Sequence, residues 1–199
     1  MTTEDFKLTQ QKLANMDNSK VGKIFELVFD KLYPNAKHSS KKEDVYQHYD
    51  RILGKYTCDI KAIKKKKRFD ETFPADEFLL EYCHIGEDNN KVRRYKKGWL
   101  HAEEMTHLAI GYITKESFYF LIFDRAKLAE WCRKTYKKKD FVYREKGAWG
   151  HYIDIDGVKC RWTQDMLLWV NKDPSKIDGF VKKIQIDDLL KETVREMEL

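Results

Sequence analysis

Two short apolar runs, "YTCDIKAI" (56–63) and "EFLLEYCHI" (77–85), each hold one carboxylate near the middle, Asp59 and Glu81. Runs of this length, rich in apolar and aromatic residues, predict buried strands. An ionised carboxylate at that depth is costly unless a cation or a hydrogen-bond donor meets it. Taken singly, each acid reads as a boundary carboxylate paired to a lysine. Two of them in consecutive strands allow a second arrangement. If the strands are neighbours, the carboxylates repel unless a divalent cation lies between them. Hard cations such as Mg²⁺ or Mn²⁺ accept oxygen ligands and keep several waters, and a metal-bound water can attack a phosphodiester. Lys61 stands two residues from Asp59 and shares its strand face. Its ammonium would then orient the water or offset developing charge, or else snorkel from the strand end to solvent. A third acid, Glu26 in "KIFELVF", borders an apolar helical stripe.

The rest of the chain supplies the frame. A polar lead-in (1–16) precedes Asp17-Asn18-Ser19, which offers N-cap chemistry for a helix running to about Tyr33, with Val21, Phe25, Val28 and Leu32 at helical spacing. "DVYQHYDRIL" reads as a strand, Gly54-Lys55 as a turn, and "YTCDIKAI" as the next strand. The lysine run with "FDETFPAD", and then "GEDNNKVRRYKKG", read as polar loops. A helix is expected from Leu100 through Met105, Leu108, Ala109 and Tyr112. "SFYFLIF" is a buried strand, and Asp124 caps a helix carrying Leu128 and Trp131. "GHYIDIDGVKCRW" predicts a hairpin turning at Asp156-Gly157, and "IQIDDLLKETVREMEL" a strand and a helix. With no repeat and three prolines, one domain over 17–199 is the simplest organisation. The class is α/β or α+β: a mixed β-sheet flanked by helices, with an extra C-terminal β-hairpin and helix.

Charge and cysteine usage narrow the function classes. The 39 basic against 33 acidic residues leave a formal charge of +6. The basic residues cluster at Lys64, Lys65, Lys66, Lys67 and Arg68, again at Lys91, Arg93, Arg94, Lys96 and Lys97, and from Arg133 to Lys139. Such clusters fit a phosphate-binding surface. Cys58, Cys83, Cys132 and Cys160 lie far apart without CxxC pairing, which argues against structural zinc and fits a reducing compartment. No apolar run reaches membrane-spanning length and the N-terminus lacks a signal-like segment, so the expectation is a cytoplasmic protein with no membrane partner, in host cytoplasm if the source is viral. The six histidines lack helical zinc spacing, and there is no P-loop, no GxGxxG and no G-x-S-x-G elbow.

The order of these acids resembles the PD-(D/E)XK nuclease superfamily, whose pattern is a leading helix with a glutamate, a strand with an aspartate, and a following strand with (D/E)-X-K. The glutamate maps to Glu26 in "GKIFELVF". The aspartate maps to Asp59 in "DRILGKYTCDIKAI", similar to phage- and mobile-element-type members, and the next strand's acid maps to Glu81. "KKGWLHAEEMTHLAIGY" and "SFYFLIFDRAKLAEWCRK" extend the resemblance, which covers about 17–135 and leaves 140–199 as decorations. It implies a restriction-endonuclease-like fold and a metal held by Asp59, Glu81 and the carbonyl of Tyr82, with Glu26 nearby. It departs at Cys83, where the motif lysine is expected; Lys61 is the best-placed replacement, ahead of Lys97 and His84.

The resulting expectation is a Mg²⁺- or Mn²⁺-dependent endonuclease, with Glu26, Asp59, Glu81 and Lys61 as catalytic candidates. The basic loops would grip nucleic acid, DNA ahead of RNA. Trp99 is a candidate base-stacking residue, although ordinary packing suits it better. Relatives that act as dimers make a homodimer one expected assembly, although the chain carries no dimer motif. The alternative is a nuclease-like fold without catalysis, binding nucleic acid or protein in a regulatory or inhibitory role.

Overall fold

The computed structural model describes residues 2–62, 78–87, 93–113, 117–135, 141–144, 152–155, 158–161, 165–170 and 180–197. For 45–46, 78–79, 82–87, 93–97, the strands between 141 and 170, and 180–182, it defines the backbone alone. The chain divides into two compact units. One comprises Met1–Ala75, Glu104–Asp124 and Gly179–Leu199, and the other Asp76–Glu103 and Arg125–Asp178.

The first unit is built on a six-stranded mixed sheet. Helix α1 (Thr3–Asn15) and helix α2 (Asn18–Leu32) precede a two-residue β1 (Lys37–His38), helix α3 (Lys41–Gln47), β2 (Arg51–Leu53) and β3 (Tyr56–Ala62). After an excursion into the second unit the chain returns as β6 (His107–Ile113) and β7 (Phe118–Asp124), and finally as β12 (Phe180–Gln185) and helix α5 (Asp187–Glu196). The strand order is β1-β2-β3-β6-β7-β12. The β3–β6 pair is parallel and every other pair in this sheet is antiparallel.

Helix α2 forms as its sequence dictates. Asp17 caps it by accepting the backbone N–H of Lys20 at 2.8 Å, and Val21, Ile24, Phe25, Val28 and Phe29 line one buried stripe. That stripe joins α1 and α5 in covering one sheet face, through Cys58, Ile60, Ala109, Ile113, Phe118, Phe120 and Ile122. Gly111 permits the closest approach of helix to sheet, because a Cβ there would collide with the Phe25 ring. Because strand side chains alternate, Asp59, Lys61, Leu108, Ile110, Tyr112, Leu121 and Phe123 face the other way. Tyr112 and Tyr119 stack on that second face with centroids 5.3 Å apart.

The second unit holds β4 (Phe78–Glu87), β5 (Arg93–Lys97), a 3₁₀ turn (Trp99–His101), helix α4 (Arg125–Thr135), β8 (Phe141–Arg144), the antiparallel pair β9 (Tyr152–Ile155) and β10 (Val158–Arg161), and β11 (Asp165–Val170). Its four-stranded sheet runs β5-β4-β11-β8 and is antiparallel throughout.

Four local expectations need correction. The polar lead-in is helix α1, opened by a capping box between Thr2 and Asp5 and buried through Phe6 and Leu13. "DVYQHYDRIL" begins as the end of helix α3, itself opened by a Ser40–Glu43 capping box, and only Arg51–Leu53 is strand. Within "GEDNNKVRRYKKG" the segment Arg93–Lys97 is strand β5 rather than loop. The helix expected from Leu100 is one 3₁₀ turn followed by β6. Both faces of β6 are buried, so its apolar residues show no alternation to distinguish strand from helix. The loop 64–77 and the turn Asp156-Gly157 lie outside the described residues.

Candidate active site

The site is set by the β2–β3 hairpin. Gly54 takes φ +60°, a left-handed conformation that suits glycine, and turns the chain back on itself. The resulting register places Arg51 opposite Cys58. Asp50 then falls beside Asp59: its backbone N–H donates to the Cys58 carbonyl at 2.9 Å, and its Oδ2 accepts the Ile60 N–H at 2.8 Å. Side chains directly opposite in an antiparallel pair share a face. Asp50, Asp59 and Lys61 therefore gather on the sheet face opposite α2.

Asp59 is almost completely buried, and its Oδ1 accepts from Lys61 Nζ at 2.9 Å. Its other oxygen, Oδ2, is buried and receives no hydrogen bond among the described residues. Burial pushes the Asp59 carboxyl well above the usual range, Lys61 pulls it down, and Asp50, which can pair with it only through a shared proton, pushes it up again. A buried carboxylate beside a second carboxylate, with one oxygen lacking a donor, is an electrostatic demand for positive charge. Lys61, with a side chain 39% exposed, meets part of that demand.

This donor set fits a hard divalent cation. Mg²⁺ is commonly bound through one or two carboxylates with waters completing its shell, and each carboxylate offers about four lone-pair sites. Asp50 and Asp59 are the residues that would hold it. Among the described residues no group of three or more His, Cys, Asp or Glu side chains could hold a metal ion, so Asp50 and Asp59 are the carboxylates the described residues offer to such a site.

The structure places the other expected residues as follows. Glu26 is on α2, on the other side of the sheet from Asp59, and its Oε2 accepts from Lys23 Nζ and Arg51 Nη2, each at 3.3 Å. Glu81 is in β4, in register with Leu167 of β11. The neighbours of β4 are β5 and β11, whereas those of β3 are β2 and β6, so strand pairing does not bring Glu81 to Asp59. Tyr82, Cys83 and His84 follow it along the β4 backbone, and Cys83 is in register with Lys97 of β5. Arg93, Arg94, Lys96 and Lys97 form the β5 backbone, while Trp99 is half-buried and opens the 3₁₀ turn. Lys64, Lys65, Lys66, Lys67, Arg68 and Lys91 lie outside the described residues.

Asp50 is the residue that reading the sequence missed. The signal was present: Asp50, eight intervening residues with a Gly-Lys turn, then Asp59-Ile60-Lys61. The aspartate and the acid-X-lysine triplet both lie within one hairpin, one strand earlier than expected. No family model, curated protein or solved structure matches the chain.

Proposed function

We propose that this chain is a metal-dependent nuclease whose centre is Asp50, Asp59 and Lys61. The observation that carries this reading is the convergence of two carboxylates and a lysine on one sheet face, with a buried carboxylate oxygen that meets no donor among the described residues. It also restores the pattern that Cys83 interrupted. The leading helix is α2, the aspartate is Asp50 immediately before β2, and the (D/E)-X-K triplet is Asp59-Ile60-Lys61 on β3. Read this way, position 83 owes the motif nothing. The same match supports a restriction-endonuclease-like core in the first unit.

The chemistry divides among the residues by charge. Asp50 and Asp59 would hold the cation, and the Asp50 carboxylate is itself held by the Ile60 N–H. Bound Mg²⁺ or Mn²⁺ would supply a Lewis acid and a more acidic water. Lys61, tethered by Asp59, directs an ammonium at the same place, where it can orient the attacking water or offset charge developing on phosphorus. The basic clusters at 64–68 and 91–97 would add salt-sensitive backbone contacts, with DNA the first substrate to try.

The test is incubation with plasmid, single-stranded DNA and RNA in Mg²⁺ or Mn²⁺. Asp50→Asn, Asp59→Asn and Lys61→Ala should each lower cleavage by about 10²-fold or more while leaving the fold intact by circular dichroism. Cleavage indifferent to all three substitutions would overturn the assignment. Metal-dependent binding with no cleavage of any substrate would leave the binding-module alternative in its place.

A further inference from the structure

We infer that Arg51 is the positioning residue of this centre and that Glu26 acts through it rather than on the metal; the inference rests on the nuclease reading above. Arg51 is the residue next to Asp50, and its side chain is only 3% exposed. Its guanidinium lies on the α2 side of the sheet and uses all three nitrogens. Nε donates to Asp30 Oδ1 at 2.6 Å, and Nη2 donates to Asp30 Oδ2 at 3.0 Å and to Glu26 Oε2 at 3.3 Å. Nη1 donates to the backbone carbonyl of Asp50 at 3.0 Å. Burial pulls the Arg51 pKa down, and Asp30 with Glu26 more than offsets that, so the charge is kept.

These contacts form a continuous path. Two acids on α2 grip a buried guanidinium; the guanidinium grips the main chain of Asp50; the Asp50 carboxylate grips the main chain of β3 beside Asp59. The Asp50 carbonyl also accepts the Ser39 N–H at 3.0 Å, so the residue is held from three sides. It needs holding. Two residues earlier His48 ends helix α3 at φ +56°, a left-handed conformation uncommon outside glycine, and β2 itself is three residues long. A short strand entered from such a corner has little hydrogen-bonding of its own to keep a carboxylate in place.

Only arginine suits the role. Its planar fork reaches a carboxylate in bidentate fashion and still has a donor to spare, whereas a lysine offers a point charge with no fixed fork. Groups that orient metal ligands from outside the coordination shell are commonly worth 10- to 100-fold in metal affinity. Glu26 takes part in the same unit from the far side of the sheet. It braces the guanidinium, and its hydrogen-bond partners are Lys23 and Arg51 rather than Asp50 or Asp59.

The test is Mn²⁺ binding followed by electron paramagnetic resonance, alongside thermal melting with and without Mn²⁺. Arg51→Lys keeps the charge and should weaken Mn²⁺ binding about 10- to 100-fold. Glu26→Gln should weaken it less than tenfold, because the Asp30 fork persists. Combined, the two should fall short of the product of their separate effects, as coupled residues do. Arg51→Lys binding Mn²⁺ like the parent while Asp50→Asn does not, or additive effects of the pair, would overturn the inference. Glu26→Gln matching Asp50→Asn would return Glu26 to the metal and overturn it equally. A parent chain that binds no Mn²⁺ overturns the nuclease reading, and the inference with it.

Discussion

Consecutive residues of β3 inhabit opposite chemistries. Cys58 and Ile60 enter an apolar layer against α2, where Phe25 and Phe29 each meet Phe120 edge-to-face at 5.6 and 5.9 Å. Asp59 and Lys61, on the other face, bring an ion pair, beside the Asp50 carboxylate, to a sheet surface that also carries Leu108, Ile110, Leu121 and the stacked rings of Tyr112 and Tyr119. Exposure alone does not separate them, because Asp59 is as deeply buried as Cys58 and Ile60. What separates them is whether each buried group finds its partner within the fold. On the α2 face each ring meets other rings and aliphatic side chains. On the other face the Asp59 Oδ2 meets no donor among the described residues. The first face has the character of a stability layer and the second of a proposed cation site, which leads to opposite mutational signs.

The largest break in that contrast should come from Phe25→Ala. It removes a fully buried ring that contacts Phe120 and overlies Gly111. The expected loss is about 3–5 kcal/mol in urea unfolding, with the protein still folded at low temperature. A loss under about 1 kcal/mol would mean that the α2 face tolerates a cavity and is not the tight layer described.

Gly111→Ala probes the same layer from the sheet side. The new Cβ would strike the Phe25 ring, and the expected loss is about 1–3 kcal/mol. Combining it with Phe25→Leu should restore part of that loss, because the two changes compete for one space. Strict additivity in unfolding free energy would show that helix and sheet adjust independently.

How much of this was legible depended on how far apart the cooperating residues were. Helix α2 could be read because its cap and its stripe are local. Helices α1 and α3 carried equally local capping boxes, Thr2 with Asp5 and Ser40 with Glu43, but their weak apolar periodicity hid them. Strand β6 was misread because burial on both faces erases the period that distinguishes a strand. In the site, Asp59 and Lys61 announced themselves by an acid within an apolar run and a two-residue spacing. Glu81 gave the same local signal, yet which sheet a strand joins is decided by long-range pairing that a run of nine residues does not encode. Asp50 was quiet for the opposite reason. It stands among polar neighbours in "QHYDR", and only the register set by the Gly54 turn places it beside Asp59.

The smallest effect is also the most discriminating. In metal-free protein, under chelator, Asp59→Asn should raise stability at neutral pH by about 1 kcal/mol, or roughly 2–4 °C for a chain of this size. Burial pushes the Asp59 carboxyl upward, Lys61 only partly counters it, and Asp50 adds to the push. A carboxyl whose folded-state pKa lies above its unfolded value binds the proton more tightly when folded. Its stabilising effect is complete below the unfolded value, near pH 3.9, and is lost as pH rises through the raised folded value. An amide does not titrate, so parent and variant should melt together near pH 3.5 and diverge as pH rises, the variant ending higher. A thermal-melt series across pH 3.5–8 measures this, and an Asp59→Asn protein that is the less stable of the two at pH 7 would show that the Lys61 pair outweighs burial and repulsion. Adding Mn²⁺ should reverse the order, stabilising the parent and leaving the variant unmoved, because the carboxylate that costs the metal-free protein stability is the one proposed to hold the cation.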